Sequence, residues 1–171
     1  MGNQYRLSSD GSYYIGTFNR GGEFIIDRDD YALLSRYTWL KGKRGYPVTS
    51  INRKSITLHR FLLDFPDGYD IDHISGDKLD NRRLNLRVCT HQQNMCNQKM
   101  RNTNSTGFTG VSYLKNARAY EAYVHCHGKK HHLGLHATPE ATARARDHAA
   151  RKLFGIYGRF NFPTDGEFAY G

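Results

Sequence analysis

A chain of 171 residues is long enough for one ordinary domain or two small ones, and its formal charge of +9 points to a polyanionic partner. It has no apolar run of membrane-spanning length and no signal-peptide pattern, so a soluble, cytoplasmic protein is expected. Cys89, Cys96 and Cys126 form no Cys-x-x-Cys pair, which argues against a zinc ribbon or a disulfide framework and leaves reduced thiols as the default.

In chain order, residues 13–18 and 23–26 are aromatic or β-branched and flank Asn19-Arg20-Gly21-Gly22, which predicts a β-hairpin. Acidic residues at 27–30 open a short helix in which Leu33 and Tyr37 form an i, i+4 pair, ending near Trp39. Trp39, the single tryptophan, is expected in the core. A second hairpin spans 46–51 and 55–58 around Asn52-Arg53-Lys54, and 59–63 reads as one or two helical turns stopped by Pro66-Asp67-Gly68.

Residues 71–97 carry the chemistry. A carboxylate stands beside an imidazole at Asp72-His73; a polar turn follows, then a short apolar run from Leu86 to Val88, then Thr90 with Gln93 three residues on. That last spacing is a capping box, in which each side chain satisfies a free amide at a helix start. The order is strand, loop, strand, helix, and Asn94 in the first turns of the helix has an amide oxygen that can face back toward Asp72. Two oxygen donors and one imidazole can then converge. Alone, an Asp-His pair is an ordinary turn feature; the whole spacing, with Asn81 and Asn85 adding amides that local structure does not explain, points to a site.

This stretch resembles the His-Asn-His (HNH) nucleases, the ββα-metal endonucleases, in the variant whose last His is replaced by Asn. The resemblance implies that Asp72 and Asn94 bind one divalent metal, that His73 is the catalytic general base, and that Asn85 braces the loop. It extends back to Leu58-His59-Arg60, where His59 is expected to be structural or to contact phosphate. Mg²⁺ or Mn²⁺ suits one carboxylate and one amide.

Residues 98–107 are almost free of apolar side chains and read as a linker; ten extended residues reach at most roughly 33–36 Å. Beyond it, Gly110-Val111, 120–126 and 131–135 read as three short strands with a turn at His127-Gly128-Lys129-Lys130. Thr138-Pro139-Glu140 starts a helix, with Thr as cap and Pro at the first helical position. Ala141, Ala145, Ala149 and Leu153 form a stripe expected to pack on the sheet, and Gly155 stops the helix.

Residues 108–163 resemble the Apetala-two/ethylene-response-factor DNA-binding domain through Gly110-Val111, Leu133-Gly134, Thr138-Pro139-Glu140-Ala141, Ala149-Ala150 and Asn161-Phe162-Pro163. The resemblance implies a three-stranded antiparallel sheet in the major groove, with Thr109, Ser112, Leu114, Tyr123, His125, Lys130 and His132 facing DNA. Tyr120, Ala122, Val124 and Leu133 would face inward. Family members use Arg and Trp on that face; Ser, Tyr and His stand here instead, so bidentate guanine reading is not expected.

The expected fold class is α+β: N-terminal hairpins with a ββα-metal motif over residues 1–97, a linker at 98–107, the sheet module at 108–163, and a tail at 164–171. Residues 1–58 and 101–171 carry net charges of +4 and +5 around a neutral centre, so the flanks suit a polyanion and the centre a cation. Over nearly the whole chain the order of modules resembles phage-borne homing endonucleases of the HNH class, which implies metal-dependent cleavage of double-stranded DNA, by a monomer. The rival readings are a DNA-binding regulator with an inactive nuclease motif, a dimeric restriction enzyme, and, for the second module, a small α+β unit with no nucleic-acid role.

Overall fold

The computed structural model describes residues 2–64, 67–97 and 105–169. Pro66 and residues 98–104 of the expected linker lie outside the described residues. The chain forms two compact units, Met1–Cys89 and Thr90–Gly171, built from small, mainly antiparallel sheets with few helices. None of the described helices is long and apolar enough to cross a membrane.

In the first unit, β1 (Gln4–Leu7), β2 (Tyr13–Thr17) and β3 (Glu23–Asp27) form one antiparallel sheet in that order. The expected β2–β3 hairpin is present with Tyr13 opposite Asp27 and Thr17 opposite Glu23. Strand β1 has no sequence signal because it is an edge strand, exposed apart from half-buried Tyr5, and so lacks alternation. The predicted helix is shorter than expected: a 3-10 turn (Arg28–Asp30) leads into α1 (Tyr31–Leu34), and Trp39 lies beyond its end. The buried member is Leu34, whereas Leu33 is exposed. Trp39 is fully buried and its indole donates to the Leu34 carbonyl at 3.0 Å.

A second antiparallel sheet joins β4 (Leu40–Lys41), β5 (Pro47–Ile51) and β6 (Lys54–Thr57) in that order. Its hairpin closes over Asn52 and Arg53, both at positive φ, the backbone of a two-residue turn matched to strand twist. After α2 (Leu58–Leu62), strand β7 (Asp70–His73) pairs antiparallel with β8 (Leu86–Cys89). One core joins the β1–β3 sheet, α1, α2 and the β7–β8 pair: Phe18, Phe24, Ile26, Leu34, Trp39, Leu58, Leu62, Ile71 and Leu86 are buried against one another. The N-terminal hairpins are thus part of the body that carries Asp72 and His73.

In the second unit α3 (His91–Cys96) begins with the predicted capping box, Gln93 N–H to Thr90 Oγ1 and Thr90 N–H to Gln93 Oε1. Strands β9 (Val111–Leu114), β10 (Ala119–Cys126) and β11 (Lys129–His136) form an antiparallel sheet with β10 central. Helix α4 (Pro139–Phe154) lies on all three strands. β12 (Arg159–Phe160) and β13 (Phe168–Ala169) make a short parallel pair. The register of β10 with β11 slips between Glu121 and Tyr123; Gly134, at φ +108°, takes the extra residue of this bulge, a conformation that a Cβ would strain.

The buried face of α4 differs from the predicted alanine stripe. Thr142, Ala143, Arg146, Asp147 and Ala150 are buried, while Ala141 and Leu153 are exposed. Two charged residues occupy the inner face because their partners are inside: Arg146 donates to the Arg159 carbonyl at 2.8 Å, and Asp147 accepts from Phe162 N–H at 2.8 Å and Asn161 Nδ2 at 3.0 Å. Apolar periodicity does not register a buried, hydrogen-bonded charge.

Candidate active site

Strand β7 places Ile71, Asp72 and His73 in sequence, and all three are buried. The β7–β8 register sets Arg87 directly opposite Asp72, where cross-strand side chains meet. Arg87 Nη2 and Nε donate to Asp72 Oδ2 at 2.6 and 2.9 Å. A charge-assisted pair of this kind holds the carboxylate in one orientation.

The loop from 74 to 85 is fixed at both ends and in the middle. Asn85 accepts from Ser75 N–H at 2.9 Å through Oδ1 and donates from Nδ2 to the Asp80 carbonyl at 2.8 Å, so one amide ties the two sides of the loop together. From outside, β3 grips the same loop: Ile25 N–H bonds to the Leu79 carbonyl and Asn81 N–H to the Ile25 carbonyl, each at 2.8 Å. Arg83 is held there as well, its backbone N–H on Asp27 Oδ2 at 2.6 Å and its guanidinium on both oxygens of Asp30.

What this scaffold positions is Asn81, which is fully buried. Its Oδ1 lies 3.2 Å from His73 Nε2, and its Nδ2 donates to the Lys78 carbonyl at 3.3 Å. The second bond fixes the amide orientation, and an amide oxygen only accepts. His73 Nε2 therefore carries the proton and Nδ1 carries the lone pair. Burial lowers the His73 pKa, outweighing the opposing pull of Asn81, Asp72, Asp77 and Asp80. The ring is neutral near pH 7 and basic at Nδ1.

His59 and Tyr46 wall the base. The His59 ring lies edge-on to His73 with centroids 5.0 Å apart, and Tyr46 lies 5.0 Å from His59 and 5.7 Å from His73. His59 Nε2 meets Thr57 Oγ1 at 3.1 Å, while its buried Nδ1 has no hydrogen-bond partner among the described residues. Burial, with His73 and Arg60 acting in the same direction, pushes the His59 pKa down to about 3, so this ring is neutral too.

Asn94, the expected second metal donor, is on α3 in the second unit, with its N–H on the Thr90 carbonyl at 3.0 Å. Among the described residues no three His, Cys, Asp or Glu side chains gather into a metal cage. Sequence reasoning noted Asn81 without a role and missed Arg87. The register that brings Arg87 to Asp72 is set by the intervening loop, which no local pattern reports.

On the second unit, strand alternation puts Ser112, Tyr123, His125, Lys130 and His132 on one face of the sheet, and Leu114 with them. Ala122 and Val124 are buried toward α4, and Leu133 packs on that core, with Tyr120 half-buried. Thr109 differs from its expected outward strand position. It precedes β9, Asn161 bonds both its N–H (2.8 Å) and its carbonyl (3.1 Å), and its hydroxyl is buried. The face also holds a residue that sequence reasoning missed, Glu121. Its carboxylate takes the Lys130 ammonium at 2.7 Å, His132 Nδ1, and Ser112 Oγ at 3.3 Å. The Lys130 hydrogen bond, with that of His132, holds the Glu121 carboxyl below its usual range.

The profile of the HNH endonuclease family matches residues 64–96, the segment from the approach to β7 through α3. An HNH endonuclease of Acanthamoeba polyphaga mimivirus is 33% identical over 160 residues, covering 89% of this chain and 82% of that protein. Protein 3.8 of Escherichia phage T7 is 34% identical over 98 residues, 56% of this chain and 78% of its own. A second mimivirus HNH endonuclease is 31% identical over 98 residues, 54% of this chain and 26% of its own length. No solved structure matches. The chain belongs to the HNH endonuclease family and is an enzyme that acts on DNA.

Proposed function

We propose that this enzyme hydrolyses phosphodiester bonds of duplex DNA as a homing-type endonuclease, with His73 as general base and one divalent metal, Mg²⁺ or Mn²⁺, on Asp72 and Asn94. The observation that carries the reading is the His73–Asn81 hydrogen bond, 3.2 Å between Nε2 and Oδ1. Because that bond commits Nε2 as donor, Nδ1 is the nitrogen that would take a proton from water, and burial favours the neutral, basic form of the ring. As the proton arrives, Asn81 Oδ1 stabilises the imidazolium through Nε2–H. Asn85 holds the loop closed around this geometry.

The donor set fits a hard cation: one carboxylate and one amide oxygen, without thiolate, suit a metal bound through one or two carboxylates that keeps its waters. Arg87 holds the Asp72 carboxylate in place through the 2.6 Å bond to Oδ2. When bound, the metal supplies charge stabilisation to the phosphoryl and leaving oxygens.

We assign residues 1–97 to nuclease function, 98–107 to a connection, 108–163 to DNA reading and 164–171 to a tail. The sheet β9–β10–β11 backed by α4 supports the resemblance to the Apetala-two/ethylene-response-factor domain. Tyr123, His125, Lys130 and His132 then face the major groove with Ser112 and Leu114, and Glu121 adds an acceptor among them. The working form is a monomer inside the host cell of a phage. The test is supercoiled plasmid with Mg²⁺, Mn²⁺ or EDTA, resolved into nicked and linear forms. Cleavage lost in EDTA is expected, and His73→Ala should slow it by on the order of 10²–10⁴ while DNA binding persists. Metal-independent cleavage, or full-rate cleavage by that variant, would refute the mechanism.

A further inference from the structure

Near the base, most cations are already committed. Arg82 is paired with Asp80, Arg83 with Asp30 and Arg87 with Asp72. The exceptions lie on the tight turn that leads from β4 into β5. Gly45 N–H bonds to the Gly42 carbonyl at 2.9 Å and Gly42 N–H to the Tyr46 carbonyl at 2.8 Å. Gly45 takes φ +84° to close the turn, and Lys43 and Arg44 stand exposed at its tip. Among the described residues neither of their cationic groups has a carboxylate partner.

Lys78, reaching across from the 74–85 loop, fixes this turn. Its ammonium donates to the Arg44 carbonyl at 3.0 Å and sits over the Tyr46 ring, 4.7 Å from the centroid. Tyr46 in turn lies 5.7 Å from the His73 ring. Those distances put the ammonium within about 10 Å of the base, and successive phosphates of one DNA strand rise about 3.4 Å along the helix axis. A strand with one phosphodiester at His73 therefore brings its neighbours, one to three nucleotides away, to Lys78 and the turn. The Tyr46 hydroxyl makes no hydrogen bond among the described residues, and burial pushes its pKa up, so it is a neutral donor in the same place.

We propose that the 42–46 turn, locked by Lys78, is a phosphate clamp on the nuclease unit that grips the DNA strand beside the bond to be cut. This rests on His73 being the catalytic centre. Lys43 and Arg44 supply charge, Tyr46 a neutral hydrogen bond, and Lys78 both charge and the tie that keeps the turn facing the base. The clamp contacts only backbone, so it adds affinity without sequence preference.

The test measures binding of the full chain to a fluorescent 30-base-pair duplex at several salt concentrations in EDTA. Lys43→Ala/Arg44→Ala should lower the slope of log K against log salt by about two and weaken binding at 0.1 M salt on the order of 10- to 100-fold. Lys78→Met, which keeps the aliphatic stem on Tyr46, should lower it by about one more. The charge-keeping Lys43→Arg/Arg44→Lys pair should retain the slope. Arg53→Ala/Lys54→Ala, on the other turn of the same sheet, is the matched loss of charge. An unchanged slope in the first variant, or an equal loss in the matched control, would overturn the clamp. Cleavage is scored separately: a parent chain inert with Mg²⁺ and Mn²⁺ whose slope still depends on Lys43 and Arg44 refutes the nuclease reading, and with it the placement beside a cut bond, while the turn's contact with DNA phosphate stands.

Discussion

Replacing Asn81 tests whether one buried amide sets the chemistry of His73. In Asn81→Ala the Nε2–H loses its acceptor and the Lys78 carbonyl loses its donor, inside a site where Asn81 had no exposure. A buried polar group left unsatisfied costs about 1–3 kcal/mol, and relief comes from moving the proton to Nδ1 or turning the ring. Either response removes the base. At 1.4 kcal/mol per tenfold, cleavage should fall roughly 10- to 100-fold at pH 7. Asn81→Asp gives the opposite electrostatic perturbation: a carboxylate beside Nε2 favours the imidazolium and raises the His73 pKa. Because the base works only when unprotonated, the acid limb of the pH–rate profile should move to higher pH. The assay is single-turnover nicking of supercoiled plasmid from pH 5.5 to 9, with near-UV circular dichroism as the check on folding. A folded Asn81→Ala chain cutting at wild-type rate, or an Asn81→Asp profile unmoved, would refute the argument.

Arg83→Ala leaves buried Asp30 without its guanidinium and should cost about 1–3 kcal/mol in urea unfolding, with Asp30→Asn/Arg83→Ala losing less than the sum of the single changes; additivity would mean the pair does not couple. His59, held down to about 3 when folded and near 6.5 when unfolded, gives stability that is complete above 6.5 and declines as pH falls toward 3. His59→Phe should therefore shrink the stability difference between pH 7 and pH 5 by roughly 2 kcal/mol, and a difference of unchanged size would show that His59 is charged in the fold. Glu121→Gln, by releasing Lys130 and His132 from the carboxylate, should tighten binding to all duplexes and steepen its salt dependence. Lys130→Ala, which uncovers that carboxylate, should weaken it; equal affinity in both variants would remove the β9–β11 face from the interface.

The local sequence determined what depends on neighbours. Turn residues, β-branched runs and the Thr90–Gln93 capping box placed the two hairpins, the β7–loop–β8–α3 order and the start of α4, because each signal is satisfied within a few residues. The Asp72-His73 pair was legible for the same reason. Tertiary structure alone decided which side chains act on that pair. Arg87 reaches Asp72 only through the register that the 74–85 loop imposes; Asn81 reaches His73 only because Ile25, far upstream, grips that loop; and Arg146 and Asp147 are buried only because groups beyond α4 supply their hydrogen bonds. Hydrophobic periodicity reports which face of a helix or strand is apolar, and a polar group whose partner comes from a distant segment leaves no trace in it. Glu121 shows the same limit on β10. Strand alternation gave its face, but the partners from β9 and β11 decided that a carboxylate would sit at the centre of a basic surface.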